Sequence, residues 1–501
     1  MRNYIKEVGL HGLVYSISTL AGSAMGFILI PLLTAYLSAE EYGIVANVQS
    51  LVNLFNVLFA FGMTVTWSRF WFDYEENSRE QRRFLGTTLV FIFGWSLLLC
   101  GLLMLGGSAL FNRLLPGVNF YPFIVISMAT SFFMVFFNQQ QILFRVRRKS
   151  LWFGLLNVGR LVFTVGLTVV GVVMLHRGAL GKATADLIVA AAGFLIVAFM
   201  LLRRATLCVD WPMLRESLRY ALPVLPHTLA VVVLQITDKF FLTNLKGLDD
   251  AGIYSVGFKF GSIMSIIVYS TNLSWQPFFM KTAAEKGDEA PPIFARMTTY
   301  WLMVMVFLAI GITLFSHEAV YLFTLSAPFR AAAPLVPIFV FAYLLYGLYL
   351  LAATQVFYAK RAVKVLPFIT VAAGVLNIVL NAVMIPRWGI FGAAWATFCS
   401  YVVNLALAAL LAQKHYSIPY EWKRLGALGL LSAAVVAAYY GVQAWSPTLA
   451  VSLSIRVALL LMWLLALAVG GFLSPSERAN MKDMLRKMLA ARRSGSRGQI
   501  D

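Results

Sequence analysis

Fourteen apolar runs follow one another along the chain, at 10–36, 43–66, 84–107, 119–144, 151–175, 181–202, 220–243, 252–280, 294–316, 331–358, 363–384, 390–412, 425–444 and 449–473. Each is close to the ~20 helical residues that cross about 30 Å of hydrocarbon. In 501 residues, 60% are hydrophobic and only 12% charged, which no soluble domain of this size tolerates. The fold class expected is all-α: a polytopic membrane protein of about 14 transmembrane helices. The first run is too long for a signal-peptide core and reads as a true span.

The basic residues test the count. With the N-terminus inside and the spans alternating, 30 of the 40 Lys and Arg fall in inside segments and 6 in outside loops. The remaining four, Arg160, Lys239, Lys259 and Arg456, lie within spans. Such a bias predicts both termini on the cytoplasmic side. It also gives the net charge of +19 a topological meaning, so no nucleic-acid partner is expected. Cys100, Cys208 and Cys399 are too scattered for a disulfide framework or a zinc site, and no metal is expected. The tail after Ser474 reads as a short basic interfacial helix followed by a disordered end.

The chain repeats itself. Leu37-Ser38-Ala39-Glu40-Glu41-Tyr42-Gly43-Ile44 matches Leu245 to Ile253, with Gly43 and Gly252 offset by 209. Gln141-Ile142-Leu143-Phe144 matches Gln355-Val356-Phe357-Tyr358 at 214, and Gly178-Ala179-Leu180-Gly181 matches Gly389-Ile390-Phe391-Gly392 at 211. Three ordered matches at nearly one offset indicate a duplicated six-span unit. Six is even, so the copies are parallel, related by a pseudo-twofold axis along the membrane normal, with a substrate site expected between them. The domains expected are an N-terminal lobe at 1–212, a C-terminal lobe at 213–415, two further spans at 416–475 and a basic tail at 476–501.

In three places the chain resembles the Wzx-type oligosaccharide flippases of the multidrug/oligosaccharidyl-lipid/polysaccharide exporter superfamily. They are the Pro223…Asp238-Lys239…Gly252-Ile253-Tyr254-Ser255…Lys259 hairpin, the Tyr36–Gly43 turn, and Ile385-Pro386-Arg387-Trp388-Gly389-Ile390-Phe391-Gly392-Ala393-Ala394-Trp395. The likeness covers roughly 1–475. It implies a secondary-active flippase that moves a polyprenyl-pyrophosphate-linked oligosaccharide outward across the bacterial inner membrane by alternating access, for O-antigen or exopolysaccharide synthesis. Membrane lipids, and a polysaccharide polymerase or glycosyltransferases, are the partners implied. No cofactor is expected beyond coupling to a proton or sodium gradient.

Several residues are candidates for transport. Gln49, Asn53 and Asn56 in span two share one helical face, as do Ser265, Tyr269, Asn272 and Gln276 in span eight. Facing stripes would line a wet cavity for sugar hydroxyls; ordinary interhelical hydrogen bonding is the plainer reading. Arg160 lies near the middle of span five, where its fork suits phosphate oxygens or a buried pair with Asp186. Arg456 reads as snorkelling outward. Trp67, Arg69, Trp71 and Phe72, with Arg82 and Arg83, could greet an anionic lipid head group; an aromatic belt with topology anchors is the plainer reading. Pro223 and Pro226, in the first turns expected for span seven, and Gly22 and Gly26 in span one are hinge candidates.

Ionised groups at membrane depth mark function by default. Span seven runs outward and span eight back, so Asp238 and Lys259 fall at similar depth and are expected to form an ion pair in at least one state, as a latch or as a static clamp. Lys239, about 100° round the helix, is then left to face the cavity or to snorkel outward. Under the 209 offset the three charged positions fall on Leu29, Ile30 and Ser50, so the scaffold does not require the charges.

No P-loop or nucleotide-binding domain is present, and the short outer loops leave little room for a membrane-embedded polymerase or glycosyltransferase. The protein is not expected to be an enzyme. The nearer rival is a drug or cation antiporter of the same superfamily, which would favour a smaller, acidic cavity and twelve spans.

Overall fold

A computed structural model describes residues 26–359, 365–445, 448–469 and 472. Gly22 and the tail at 476–501 lie outside the described residues. The chain runs through α1 (Gly26–Tyr36), α2 (Ala39–Ala60), α3 (Met63–Phe70), α4 (Arg79–Leu114), α5 (Val125–Val146), α6 (Ser150–Thr168), α7 (Gly178–Leu202) and α8 (Trp211–Leu245). It continues through α9 (Leu248–Lys286), α10 (Ala290–Leu314), α11 (Ser316–Phe323), α12 (Leu335–Tyr358), α13 (Leu366–His415), α14 (Trp422–Ala444) and α15 (Leu449–Val469). The protein is an all-α, multi-pass membrane protein.

Among the described residues, eleven helical stretches are long and apolar enough to cross a membrane. Two of them exceed one crossing. A 3₁₀ turn at Gly287–Glu289 separates α9 from α10, and α13 breaks at Gly389, whose φ of 54° no L side chain adopts easily. Counting each as two and adding the shorter apolar α1 gives fourteen apolar helical segments among the described residues.

The helix starts follow from local chemistry. Ser38 caps α2, accepting from the Glu41 amide at 3.1 Å, while the Glu41 carboxylate accepts from the Ser38 amide at 3.2 Å. This reciprocal box satisfies two otherwise orphaned donors. Asp210 caps α8 through the Met213 amide, with Pro212 in the first turn. That cap starts α8 at Trp211, so Pro223 and Pro226 sit well inside the helix rather than in its first turns. A proline at each of these positions removes one ladder bond and crowds the preceding turn.

Phe61 and Gly62 adopt left-handed backbone and split the second apolar run into α2 and α3. Beyond the break, Trp67 is buried rather than part of an interfacial belt and donates to Thr88 Oγ1 at 2.8 Å. Arg69 pairs with Asp73 in the open, and Arg83 pairs with Asp210.

The duplicated motifs occupy like places. A Cβ on Gly43 would lie 2.1 Å from the Leu248 carbonyl oxygen, and a Cβ on Gly252 would lie 2.1 Å from the Ala39 carbonyl oxygen. Residues 39 and 248 are themselves 209 apart, so the contact is reciprocal, as a twofold demands. Missing side chains let the starts of α2 and α9 touch backbone to backbone, a close approach that packs helices in lipid. Asn47 adds a bond across the same seam, donating to Thr243 Oγ1 at 2.7 Å. The third motif repeats too: Gly178 (φ 52°) abuts the Glu41 carboxylate and Gly389 (φ 54°) the Asp250 carboxylate.

By packing, residues 26–285 and 316–417 form one compact unit, and 286–315 with the described residues from 418 onward form another. Both expected lobes thus fall in the first unit, except for α10, which groups with α14 and α15. Within the second unit Arg456 is buried, donating to the Leu314 carbonyl at 3.0 Å and lying over the Tyr439 ring. It does not snorkel outward: a carbonyl and a π face inside the bundle take the place of water.

A cationic cavity as candidate functional site

Three adjoining chambers run through the first unit, and Arg160 lines all of them. The first, about 420 Å³, has Tyr42, Gln49, Asn53, Lys182, Lys239 and Lys259 in its wall. The second, about 480 Å³, shares Gln49, Asn53 and Asp186 with the first and adds Asn56, Asn138 and Gln235. The third, about 420 Å³, continues past Asn56 and Asn138 to Arg145, Asn157 and Thr228. A helix presents residues three and four apart on one side, so the Gln49, Asn53, Asn56 stripe of α2 becomes a polar strip along the passage. Gln49 Nε2 reaches Asn53 Oδ1 at 3.5 Å, and Asn138 donates to Asn56 Oδ1 at 3.1 Å.

The second stripe does not join it. Ser265, Tyr269, Asn272 and Gln276 are absent from the walls of these chambers. Ser265 bonds the Ser262 carbonyl of its own helix, and Tyr269 is 56% exposed. The repeat places equivalent helices, but this passage is walled by the first copy together with α8 and α9.

In this conformation Asp238 and Lys259 do not pair. Asp238 is 1% exposed and accepts three bonds: from Tyr254 Oη at 2.5 Å, Thr397 Oγ1 at 2.5 Å and Asn381 Nδ2 at 2.6 Å. Asn381 is held in turn by Asn377. Helical geometry explains the outcome. Tyr254 and Lys259 are five residues apart on α9, about 140° round the axis. When Tyr254 turns towards Asp238, Lys259 must turn away. It faces the first chamber instead, 5.9 Å from the Tyr42 ring centre. Lys239, one residue from Asp238, also faces that chamber, 4.9 Å from the Phe258 ring.

The charge of the first chamber is therefore lopsided. Arg160, Lys182, Lys239 and Lys259 face one carboxylate, Asp186. Lys182 takes that carboxylate at 2.5 Å, so Arg160 does not pair with it. Arg160 rests on the Met134 thioether at 3.4 Å and on the Phe137 ring at 5.3 Å. Among the described residues no carboxylate lies in ion-pair contact with Arg160, Lys239 or Lys259. Rings and a thioether steady these cations by about 0.5–2 kcal/mol each without neutralising them, so their donors stay available to an anion.

Sequence reasoning missed Lys182, which reads as an outer-loop anchor; α7 begins at Gly178 and carries it one turn inward. It also missed Tyr254, Asn381 and Thr397 as the partners of Asp238. The copies at Leu29, Ile30 and Ser50 are buried and uncharged, as the offset implies.

Residues 10–283 match the polysaccharide biosynthesis protein family. The chain is 20% identical over 279 residues to Lsg locus putative protein 1 of Haemophilus influenzae, covering 54% of this chain and 66% of that protein. Among solved structures it is similar to the lipid II flippase MurJ in an inward closed conformation, at 13% identity and a TM-score of 0.72, covering 90% of this chain and 98% of that one. It is also similar to an inward-facing multidrug-resistance transporter of the MATE family, at 14% identity and a TM-score of 0.64, covering 79% and 94%. The fold is shared with these two solved structures. The chain belongs to the polysaccharide biosynthesis protein family.

Proposed function

We propose that the protein moves a polyprenyl-pyrophosphate-linked oligosaccharide outward across the bacterial inner membrane by alternating access, with both termini cytoplasmic. The observation that carries this reading is the first chamber: three cations without ion-pair partners beside an amide strip. Guanidinium and ammonium groups in a low-dielectric wall suit a pyrophosphate. The amides of Gln49, Asn53, Asn56 and Asn138 supply paired donors and acceptors for hydroxyls. The family supports a place in polysaccharide synthesis, and the superfamily fold supports transport rather than catalysis. A drug or cation antiporter would set its own cargo against a chamber carrying four cations and one carboxylate.

Coupling is assigned to Asp238. It is a buried carboxylate held by three neutral donors, with no cation in contact among the described residues. An unbalanced charge in that setting is costly, and a proton or a sodium ion would offset it.

The test is flipping in proteoliposomes of a defined lipid-linked oligosaccharide, with and without an ion gradient. We expect the pyrophosphate-linked substrate to move and an uncharged lipid-linked sugar to move at least tenfold more slowly. Equal rates for the two would remove the role given to the cations, and transport of a small organic cation alone would favour the antiporter.

A further inference from the structure

Away from the passage, at the ends of α5, α6 and α7, lies a larger cleft of about 780 Å³. Five basic residues line it: Arg82, Arg147, Lys149, Arg203 and Arg204. They come from three separate stretches of sequence, so the cluster is built by the fold rather than by one basic run. Glu76 engages Arg147 at 2.8 Å, and it is an exposed carboxylate. Arg82 donates to the Arg203 carbonyl at 3.3 Å, and Arg203 stacks over the Phe199 ring at 4.1 Å. These contacts fix the guanidinium planes and leave most of their donors unused. Arg204 is half-buried, and burial together with the like charge of Arg147 lowers its pKa, with Glu76 opposing. The Gln140 side chain lines the floor, 2% exposed, and its amide oxygen has no hydrogen-bond partner. An unpartnered buried acceptor calls for a donor, which a phosphate diester lacks and a hydroxyl-bearing headgroup supplies.

The lower wall is apolar. Trp152, Ile196 and Phe199 are each at least half exposed, and the exposed face continues along α6 and α7 through Leu155 and Leu195. In a membrane this face meets acyl chains, and a tryptophan at its head is an interfacial residue.

We propose that this cleft binds the phosphate headgroup of an anionic phospholipid, with its acyl chains along the Trp152–Phe199 face. Charge decides between possible occupants: five cations against one flanking carboxylate reject a zwitterion's choline and fit a phosphate diester or pair of diesters. Basic pockets between transmembrane helices at the cytoplasmic boundary hold such headgroups, and 145–150 and 203–219 are segments that the charge bias places inside. The proposal does not depend on the cargo of the central passage.

The test uses the full chain, exchanged into mixed phosphatidylglycerol and phosphatidylcholine nanodiscs, released into detergent and weighed by native mass spectrometry. We expect retained lipid to be enriched in phosphatidylglycerol. Arg203→Gln with Arg204→Gln should cut that retention roughly tenfold. Trp152→Ala should weaken lipid retention without changing binding of inorganic phosphate, which separates a lipid site from a general phosphate site. Lys149→Gln, at an exposed position, serves if the double variant does not fold. Equal retention of the two lipids overturns the proposal. So does loss of the lipid to excess inorganic phosphate together with an inert Trp152→Ala, which would show a free-phosphate site.

Discussion

The Gly43–Gly252 seam can be opened by one methyl group. In Gly43→Ala the new Cβ lies 2.1 Å from the Leu248 carbonyl oxygen and 2.9 Å from its carbon. A carbon–oxygen contact relaxes at about 3.3 Å, so the backbones must part by about 1.2 Å along that line. No rotamer can relieve the clash, because both obstacles are backbone. Overpacking of this kind costs about 1–3 kcal/mol, which converts to a shift of roughly 5- to 150-fold against the state in which the seam is closed. Gly252→Ala strikes the Ala39 carbonyl at the same 2.1 Å and should have a similar effect. The double variant should fall short of the sum, since the first methyl has already parted the helices. Spin labels at Glu40 and Asp249, both exposed, report the seam directly in a background without the native cysteines. The expected result is a second, longer distance in each single variant, with slowed transport. An unchanged distance distribution in a well-folded Gly43→Ala variant refutes the seam as a state-dependent contact.

Further outcomes follow from the same geometry. Asp238→Asn and Lys259→Met should each impair transport, and combining them should bring no rescue, because the two side chains do not meet; recovery in the double variant would restore the ion pair. Arg160→Gln should reduce flipping of the pyrophosphate-linked substrate at least tenfold while an expression and thermal-stability assay stays near wild type; unchanged flipping removes Arg160 from the cargo path. Trp67→Phe deletes the bond to Thr88 and should cost about 1 kcal/mol of stability, read as a lowered unfolding temperature in detergent without a change in substrate preference. A reporter fused to the C-terminus should be active only in its cytoplasmic form, and activity restricted to the outer form would reverse the assigned orientation.

The frame of this protein was legible because its determinants are local or periodic. Apolar run length gives the helices, Ser38 with Glu41 writes its own cap, and glycines at a constant offset mark contacts that only glycine permits. The site was less legible for a reason rooted in the membrane. Helices apolar all round carry little periodicity, so their sequence does not say which side faces the interior. Asp238 and Lys239 are neighbours in sequence and face different surroundings; the choice between them is made by Asn381 and Thr397, more than 140 residues away. The α2 stripe was readable because its polar residues stand out from an apolar helix. Its counterpart on α9 looked the same in sequence, and only packing distinguishes a wall of the passage from a face that lies elsewhere.

The charges present in one copy of the hairpin and missing from the other divide the labour within a duplicated frame. Here Asp238 belongs to the second copy, while Leu29 stands in its place in the first. The amide strip and Arg160, which face the passage, belong to the first copy. On the assignments proposed above, the sugar strip lies in the first half, the fuel is sensed by the second, and the cations for the pyrophosphate come from both. An ion can bias the cycle only through its differential affinity for the two conformations, and linkage makes the influence mutual: whatever the ion does to cargo affinity, cargo does to ion affinity. The exchange has a short physical route, since the glycine seam joins the two halves backbone to backbone and the Asn47–Thr243 side-chain bond ties them beside it.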